Sequence, residues 1–401
     1  MLNYNTAGES HGKGLLALVD CVPAGLDIST EVIDYELRRR QGGYGRGGRQ
    51  AIETDAVEIL SGVWGTTTIG SPVALWVKNK DYRLPQLEDL SSPRPGHGDL
   101  SGSRKYLSSM RGILERASAR ETAARVAAGA LARQILSAFG IEVVGFVTQI
   151  GDAALPVAQG AEEHFAMMEA GANSNVRGVA LQKIRALRDG NELYSLALDQ
   201  DNAKAIEAIE NAKSEGDTLG GVVEVRATGI PFGLGTHAQW NQKLDGRLAQ
   251  AIMAIQAIKG VEIGLGFRAA GLPGSQVHDP IHFDPLQEGM RTLGFSRPSN
   301  NAGGLEAGMT NAQPIVVRAA MKPIATLRKP LDSVEMKTRR RAAASWERSD
   351  VCAVSAASVV VENAVAFEIA SALTEKFGCD SMEEIGARLD LSQSLQTRLR
   401  P

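Results

Sequence analysis

Between Met110 and Phe139 the chain carries a long alanine-rich stretch in which Ala119, Ala123, Ala127 and Ala130 fall close to helical spacing, and Gly140 stops it. Small side chains on a helix let neighbouring elements approach closely, so this segment is read as an interior packing helix. Its longest small-apolar run, near Ala123 to Phe139, carries Arg125 and Arg133 and is too polar and too short to span a bilayer. Any fold for this chain has to wrap other elements around it.

Those elements can be read from hydrophobic period. Apolar alternation predicts strands over Ile52–Ile59, Val73–Val77, Ile141–Ile150, Leu219–Ala227, Val261–Phe267 and Pro314–Ala320. Helices are predicted over Thr30–Arg40, from Asp201 or Asn202 to Ser214, over Trp240–Ile258 and over Val361–Phe377. Ser29 or Thr30 caps the first of these, and three arginines occupy its last turn, where the helix dipole favours cations. The most irregular stretches are Lys78–Leu107, His278–Gly308 and Lys322–Asp350. Long loops of this kind in a compact protein commonly serve a site.

A chain of 401 residues suggests two or three domains on length alone, yet no linker or internal repeat is visible. The formal net charge of −3 gives nothing global to attract nucleic acid or an anionic membrane. Cys21, Cys352 and Cys379 are far apart and form no CxxC pair, so a disulfide framework and a zinc knuckle are both disfavoured. The N-terminus shows no basic region followed by an apolar run, and we expect a cytoplasmic protein.

Against that mild background two histidines are framed by glycine, in Gly8-Glu9-Ser10-His11-Gly12 and in Arg94-Pro95-Gly96-His97-Gly98-Asp99. Between them lies Arg38-Arg39-Arg40-Gln41-Gly42-Gly43-Tyr44-Gly45-Arg46-Gly47-Gly48-Arg49. Imidazole changes charge near neutral pH, and guanidinium grips phosphate or carboxylate in a fixed fork. Together they suggest a site that binds a multiply anionic small molecule and passes it protons.

Several competing readings were weighed. Gly43-Tyr44-Gly45-Arg46-Gly47-Gly48 matches GxGxxG, but a helix precedes it and a strand follows, the reverse of a dinucleotide site. An RGG-type RNA segment would be accompanied by more basic charge. His278-Asp279-Pro280-Ile281-His282-Phe283-Asp284 matches no metal-ligand spacing, so no metal is expected. A Walker A motif is missing from the sequence, so a nucleotide-hydrolase reading lacks support. Glu115 to Thr122, Met321 to Thr326 and Arg348-Ser349-Asp350 read equally as site segments or as a solvated helix face, a turn and an Asx turn.

Taken in order, these segments resemble the chorismate synthase family. The likeness runs through GESHG at Gly8, RRRQGGYGRGGR at Arg38, RPGHGD at Arg94, ERASARETAARVAAGA at Glu115 and GDTLGGVVE at Gly216. It continues through PFGLG at Pro231, KGVEIGLGF at Lys259, NNAGGLEAGMTNAQPIVVRAAMKPIAT at Asn300 and ERSDVCAV at Glu347, covering the chain to about Ala372. The resemblance implies a lyase of the shikimate pathway, in aromatic amino-acid biosynthesis. It would make chorismate from 5-enolpyruvylshikimate 3-phosphate by 1,4-elimination of phosphate and a ring hydrogen. Reduced FMN is required without net redox change, and NADPH enters only indirectly, through flavin reduction.

The resemblance also implies roles. His11 would protonate the departing phosphate, His97 would sit beside the reduced flavin, and Asp350 would assist loss of the ring proton. Arg40, Arg46, Arg49 and Ser10 would bind substrate. Arg116, Ala117, Ser118, Gln256, Ala257, Ala307, Lys322, Pro323, Ile324, Ala325, Thr326 and Arg348 would bind FMN. The implied fold is an α/β (α+β) sandwich with helices packed between antiparallel sheets, a single catalytic domain over residues 1–401, assembled as a homotetramer. A small-molecule substrate and an external source of reduced flavin are the implied partners, with no nucleic acid and no membrane.

The chain departs from the family pattern in places. Val63-Trp64-Gly65-Thr66 stands where an Arg-His-Gly triplet is usual, and the connection from Asn79 to Arg94 is short, implying a reduced lid. Ser108 and Ser109 replace common acidic residues, and Ala307 and Ala312 replace glycines. A methyl group at position 307 is expected to crowd a flavin that approaches the backbone.

Overall fold

The computed structural model describes residues 1–47, 54–169, 174–347 and 349–399. Strands β1 (Asn3–Gly8), β2 (Gly14–Asp20), β3 (Val57–Ser61) and β4 (Val73–Lys78) form one antiparallel sheet in the order β1-β2-β4-β3. Helix α1 (Thr30–Gln41) lies between β2 and β3 in the chain. Helices α2 (Asp99–Tyr106), α3 (Met110–Ala117) and α4 (Thr122–Ala138) follow the first sheet. Strand β5 (Glu142–Ile150) then leads to helices α5 (Gln159–Glu169), α6 (Ser174–Asp189) and α7 (Asp199–Glu215). After β6 (Gly221–Thr228) come α8 (Leu244–Met253), β7 (Ile258–Ile263) and β8 (Ile315–Met321), and the chain closes with α9 (Val354–Phe377) and α10 (Met382–Arg398). The second antiparallel sheet runs β7-β8-β6-β5, with the short strand Ala153–Ala154 at its edge.

Each sheet has one apolar face because alternate residues point the same way. In the first, Leu15, Ala17 and Val19 of β2 and Val73, Leu75 and Val77 of β4 are fully buried. The second contributes Val223, Val225 and Ala227 of β6 and Ile315, Val317 and Ala319 of β8. Helix α4 packs on the first sheet, α9 packs on the second, and the two helices pack on each other. The helices therefore fill the space between two antiparallel sheets, as expected. On the far side of β5, Val144 and Phe146 are covered by Phe165, Met168, Ala180 and Ile184 of α5 and α6.

The middle of this sandwich is thin enough to need glycine. A Cβ on Gly129 of α4 would lie 2.4 Å from the Asn363 carbonyl oxygen of α9, and one on Gly145 of β5 would lie 2.8 Å from the Ser358 carbonyl oxygen. Helix α9 is long and apolar enough to cross a membrane by composition, but 94% of its most apolar window lies inside the protein. It is the core helix.

Charge is buried in the same layer. Glu362 of α9, wholly shielded from solvent, meets Arg39 at 2.9 Å, Arg133 at 2.7 Å and Arg188 at 3.3 Å. Glu36 of α1 accepts from Arg39 at 2.8 Å, Arg133 at 2.9 Å and Asn363 at 3.1 Å. Burial alone pushes the Glu362 carboxyl up, but Arg39, Arg133 and Arg188 hold it below the usual carboxylate range. Breaking such a buried network from one side strands an uncompensated charge.

Several predicted boundaries are corrected. The helix predicted over Met110–Phe139 is two helices broken at Ser118, which is extended (φ −60°, ψ 141°) and caps the turn Ala119–Glu121. Helix α9 begins at Val354, not Val361, because Ser355 and Ser358 satisfy their hydroxyls on the Leu193 and Ser355 carbonyls. The helix predicted over Trp240–Ile258 is a single turn at Trp240–Gln242 followed by α8, and the strand expected from Val261 starts at Ile258. The first part of the predicted strand Ile52–Ile59 lies outside the described residues.

Both alanines that replace glycine sit in left-handed backbone. Ala307 (φ 51°) and Gly308 (φ 82°) form the two-residue loop of the hairpin joining Leu305–Glu306 to Met309–Asn311. Ala312 has φ 64°. Hairpin loops of this length favour two positive-φ residues, with Asn or Gly at the first.

Two stability predictions follow from these contacts. Gly129→Ala should lower stability by about 1–3 kcal/mol despite alanine's higher helix propensity, because the added methyl overpacks the α4–α9 crossing. Denaturant unfolding measures this, and an unchanged or raised midpoint would count against the close approach. Ala307→Gly should instead gain up to about 1 kcal/mol, since relief of left-handed strain exceeds glycine's extra unfolded-state freedom. A lowered midpoint would contradict the assigned turn.

Candidate functional site

The loop carrying His11 joins β1 to β2, and the amide of Asn79 binds three of its carbonyls. Asn79, just after β4, donates from Nδ2 to the carbonyls of Glu9 (3.1 Å), Ser10 (3.2 Å) and Gly12 (2.9 Å). Asn79 Oδ1 accepts from Arg120 Nε at 2.9 Å. The His11 ring is buried, with Nδ1 2.9 Å from Glu115 Oε1, and its backbone N–H donates to Glu115 Oε2 at 2.7 Å. Its Nε2 edge faces Asp81 Oδ2 at 3.8 Å and Arg83 Nη2 at 3.5 Å. The short 79–94 connection closes over this edge, its Arg83 and Leu84 N–H groups donating to the His11 carbonyl at 3.2 and 3.0 Å.

Beside the loop, Asp55 Oδ2 accepts from Arg40 Nη2 and Arg120 Nη1, each at 2.7 Å. Burial raises the Asp55 carboxyl, but the two guanidinium groups bring it net below its ordinary value. Burial pushes the Arg40 guanidinium down to about 10 with Arg120 and Arg46 adding to it, though Asp55 opposes them. Arg40 thus stays cationic at neutral pH. Two arginines against one carboxylate leave a local positive excess. Among the described residues Arg40 Nε and Asp55 Oδ1 are buried without a hydrogen-bond partner.

His97 precedes α2. Its Nδ1 is 2.6 Å from Asp99 Oδ1, and Asp99 also accepts from Arg94 Nε (2.8 Å) and Nη2 (2.9 Å). Burial opposes the Asp99 charge, but hydrogen bonds and charge from Arg94 and His97 hold its carboxyl far below the carboxylate range. Arg94 Nη1 reaches Thr326 Oγ1 at 3.1 Å, and Lys322 Nζ donates to the Gly96 carbonyl. The glycine at position 96 is needed here: φ is +74° and an added Cβ would stand 3.2 Å from Lys322 Nζ.

Asp350 faces the arginine-glycine loop, accepting from the Gly47 N–H at 2.6 Å and pairing with Arg46 at 2.9 Å. Ser349 Oγ donates to the Thr326 carbonyl at 3.1 Å, which ties this group to the His97 group. Arg111 Nη2 binds Glu347 at 2.7 Å while its Nη1 lies 3.9 Å from Glu115, which ties it to the His11 group.

The proposed cofactor residues fall along the same network. Ser118 Oγ donates to Ser10 Oγ at 3.1 Å, and the Ser118 break in the helix is what delivers it there. Arg116 donates to the Gly8 and Thr6 carbonyls, following Ala117's helix back onto β1. Gln256 Nε2 donates to Glu121 at 3.1 Å, and its Oε1 is buried without a hydrogen-bond partner. Ala257 (φ 68°) accepts from the Lys322 N–H at 3.0 Å, which brings Lys322, Pro323, Ile324, Ala325 and Thr326 beside it. Ile324 in turn accepts from Thr218 at 2.8 Å. Ala307 is placed apart from these contacts, exposed at the tip of its hairpin. Arg49 and Arg348 lie outside the described residues.

Sequence reasoning assigned no role to Glu115, Asp99, Asp55, Arg120 or Asn79. Asp99, two residues from His97, offered a carboxylate near a histidine as a signal, whereas Glu115 is 104 residues from His11 and offered none. Asp55 and Asn79 gave none, since only the first sheet's folding brings them to the His11 loop.

The chain matches the family model described as chorismate synthase over residues 2–374. It is 52% identical over 408 residues to a chorismate synthase of Geobacter metallireducens, with 97% of this chain and 98% of the relative covered. A chorismate synthase of Desulforamulus reducens is 49% identical over 403 residues, again covering 97% and 98%. A solved structure described as a crystal structure of chorismate synthase aligns with a TM-score of 0.77 at 42% identity, covering 99% of both chains. The chain belongs to the chorismate synthase family and is a carbon–oxygen lyase of that mixed α/β fold.

Proposed function

We propose that this protein catalyses the 1,4-elimination of phosphate from 5-enolpyruvylshikimate 3-phosphate to give chorismate, with reduced FMN bound and no net redox change. The observation that carries the reading is the pair of glycine-framed histidines, each backed by a carboxylate at Nδ1, together with a cation-rich cluster linked to the His11 loop. The phosphate and two carboxylates of such a substrate match the excess positive charge of Arg40, Arg46 and Arg120, with Arg49 added from the same loop.

In this reading the carbon–oxygen bond to phosphate breaks, a ring carbon–hydrogen bond breaks, and the ring gains a double bond. His11 donates a proton from Nε2 to the leaving phosphate, offsetting charge where it develops. The arginines hold the anions so that the ring cannot turn away from that proton. Asp350, steadied by Arg46 and the Gly47 N–H, assists departure of the ring proton.

The residues present fit a flavin phosphate and ring. Among the described residues Gln256 Oε1 is a buried acceptor without a protein donor, and Lys322 and Thr326 bring a cation and a hydroxyl to the His97 loop. Arg116, Ala117, Ser118, Gln256, Ala257, Lys322 to Thr326 and Arg348 would hold FMN, with Ala307 the outlying member of the set. A bound reduced flavin supplies electron density to the ring as phosphate leaves and recovers it afterwards. His97 would keep it in the working protonation state.

We further propose one catalytic domain, a cytoplasmic homotetramer, reduced flavin supplied from outside and NADPH acting only through that supply. The outer face of the first sheet supports an oligomer, since Leu18 and Leu60 stand 41% and 54% exposed on it.

The test is anaerobic: protein, substrate and chemically reduced FMN, with chorismate followed by absorbance and flavin omitted in the control. Flavin-dependent product is expected, and its failure alongside tight FMN binding would favour a flavin-binding protein without catalysis. His11→Ala and His97→Ala should each lower turnover on the order of 100-fold or more, while the unfolding midpoint shifts little. Full turnover in either variant would remove that histidine from the mechanism.

A further inference from the structure

The two histidines are backed by carboxylates in different ways. Asp99, behind His97, is gripped by Arg94 through Nε at 2.8 Å, Nη2 at 2.9 Å and the backbone N–H at 3.1 Å. Its charge is therefore already compensated by a guanidinium. Glu115, behind His11, has no such partner at hydrogen-bond distance. Among the described residues its nearest other cation is Arg111 at 3.9 Å, whose second Nη is committed to Glu347 at 2.7 Å. Both oxygens of Glu115 are turned to His11, Oε1 at 2.9 Å and Oε2 at 3.2 Å from Nδ1, and Oε2 at 2.7 Å from the backbone N. The Ser10 N–H donates to the Glu115 carbonyl at 2.9 Å, so residues 10 and 11 are both fixed to the end of α3.

We propose that Glu115 is a positioning residue for the reaction: it fixes the Nδ1–H tautomer of His11 and turns Nε2 to the leaving phosphate. An ionised carboxylate is an acceptor only, so the nitrogen that faces it must carry hydrogen. The other ring nitrogen is then the one that exchanges a proton with substrate. The uncompensated charge of Glu115 also offsets the positive charge His11 carries as an acid, whereas Asp99 spends its charge on Arg94.

Burial raises the Glu115 carboxyl, but the His11 hydrogen bonds, the ring charge and Arg111 hold it net below its ordinary value. It is ionised throughout the neutral range. Among the described residues, the charged groups around the ring are Glu115 and Arg111 from α3, and Asp81 and Arg83 from the 79–94 connection. Asp81 pairs with Arg83 at 3.1 Å, so that pair brings little net charge to the Nε2 edge.

The inference rests on His11 acting as the proton donor, and the test separates the two. The first measurement needs no turnover: 15N magic-angle-spinning NMR of histidine-labelled wild-type protein, with the His11 signals assigned by their loss in His11→Asn. The neutral form of the ring, the one left once Nε2 has given up its proton, is expected to be protonated at Nδ1 and bare at Nε2. The opposite tautomer overturns the proposal, whatever the reaction.

The second measurement is kinetic. Glu115→Gln should lower kcat on the order of 10- to 100-fold with KM changed less than about threefold, and should give a mixed or reversed tautomer. Glu115→Asp, which keeps the charge on a shorter stem, should recover part of kcat. Wild-type kcat and an unchanged tautomer in a folded Glu115→Gln protein would overturn the assignment. Wild-type protein that forms no chorismate would instead defeat the functional reading, leaving the tautomer result standing.

Discussion

The buried ion network around Glu362 sets the geometry on which everything else depends. It joins α1, α4, α6 and α9, so it fixes how far each helix is rotated as well as where it lies. Successive residues on a helix point about 100° apart. With Arg39 turned inward to Glu362, Arg40 is aimed about 100° round the helix at Asp55 and Arg38 is left exposed. One buried pairing thus decides which arginine of three serves the site. Buried ion pairs give little net stability when compared with an apolar core of the same shape, and their best-attested use is to specify register. That use fits here, because an apolar contact would tolerate a small rotation of α1 that a charged one does not.

The site inherits that rigidity through short links. Arg40 meets Asp55, Asp55 meets Arg120, Arg120 meets Asn79, and Asn79 holds three carbonyls of the His11 loop. A displacement of α1 would be transmitted to His11 through four charged or amide groups, with no flexible step between them. The histidine loop is glycine-framed and would otherwise be free to move. Its fixed shape is therefore borrowed from the sheet and helices around it, which is how a loop can carry chemistry that needs sub-ångström placement.

How much of this was legible in the chain can be argued residue by residue. The apolar alternation of β4 announced a strand and the small residues of α4 a closely packed helix, and the motifs around His11, His97 and Arg40 announced chemistry. The sandwich followed only from the family resemblance, and β2, an apolar run without strict alternation, was not predicted. The break at Ser118 was not legible, because alanine on both sides favours continuing the helix. It is a tertiary contact, the hydroxyl of Ser10, that stabilises the extended conformation there. Asp55 and Asn79 were silent for a related reason. Each is a polar residue next to a strand, and only pairing of β3 and β4 with β2 turns them toward the loop.

The same distinction explains Ala307. A residue in a gapless motif reads as part of the site, and a methyl there reads as an obstacle to flavin. The folded chain gives position 307 a different job, the first residue of a tight hairpin loop with φ at 51°. The conformation asks for glycine or asparagine whether or not a ligand is near. Alanine's cost at this position is thus a backbone cost, carried in stability and separable from turnover. The motif preserves glycine at 308, where φ is 82° and a Cβ would stand 2.9 Å from the Thr236 carbonyl oxygen and closer still to Lys243. Of two adjacent positive-φ positions, the chain has relaxed the exposed one and kept the one that is closely packed.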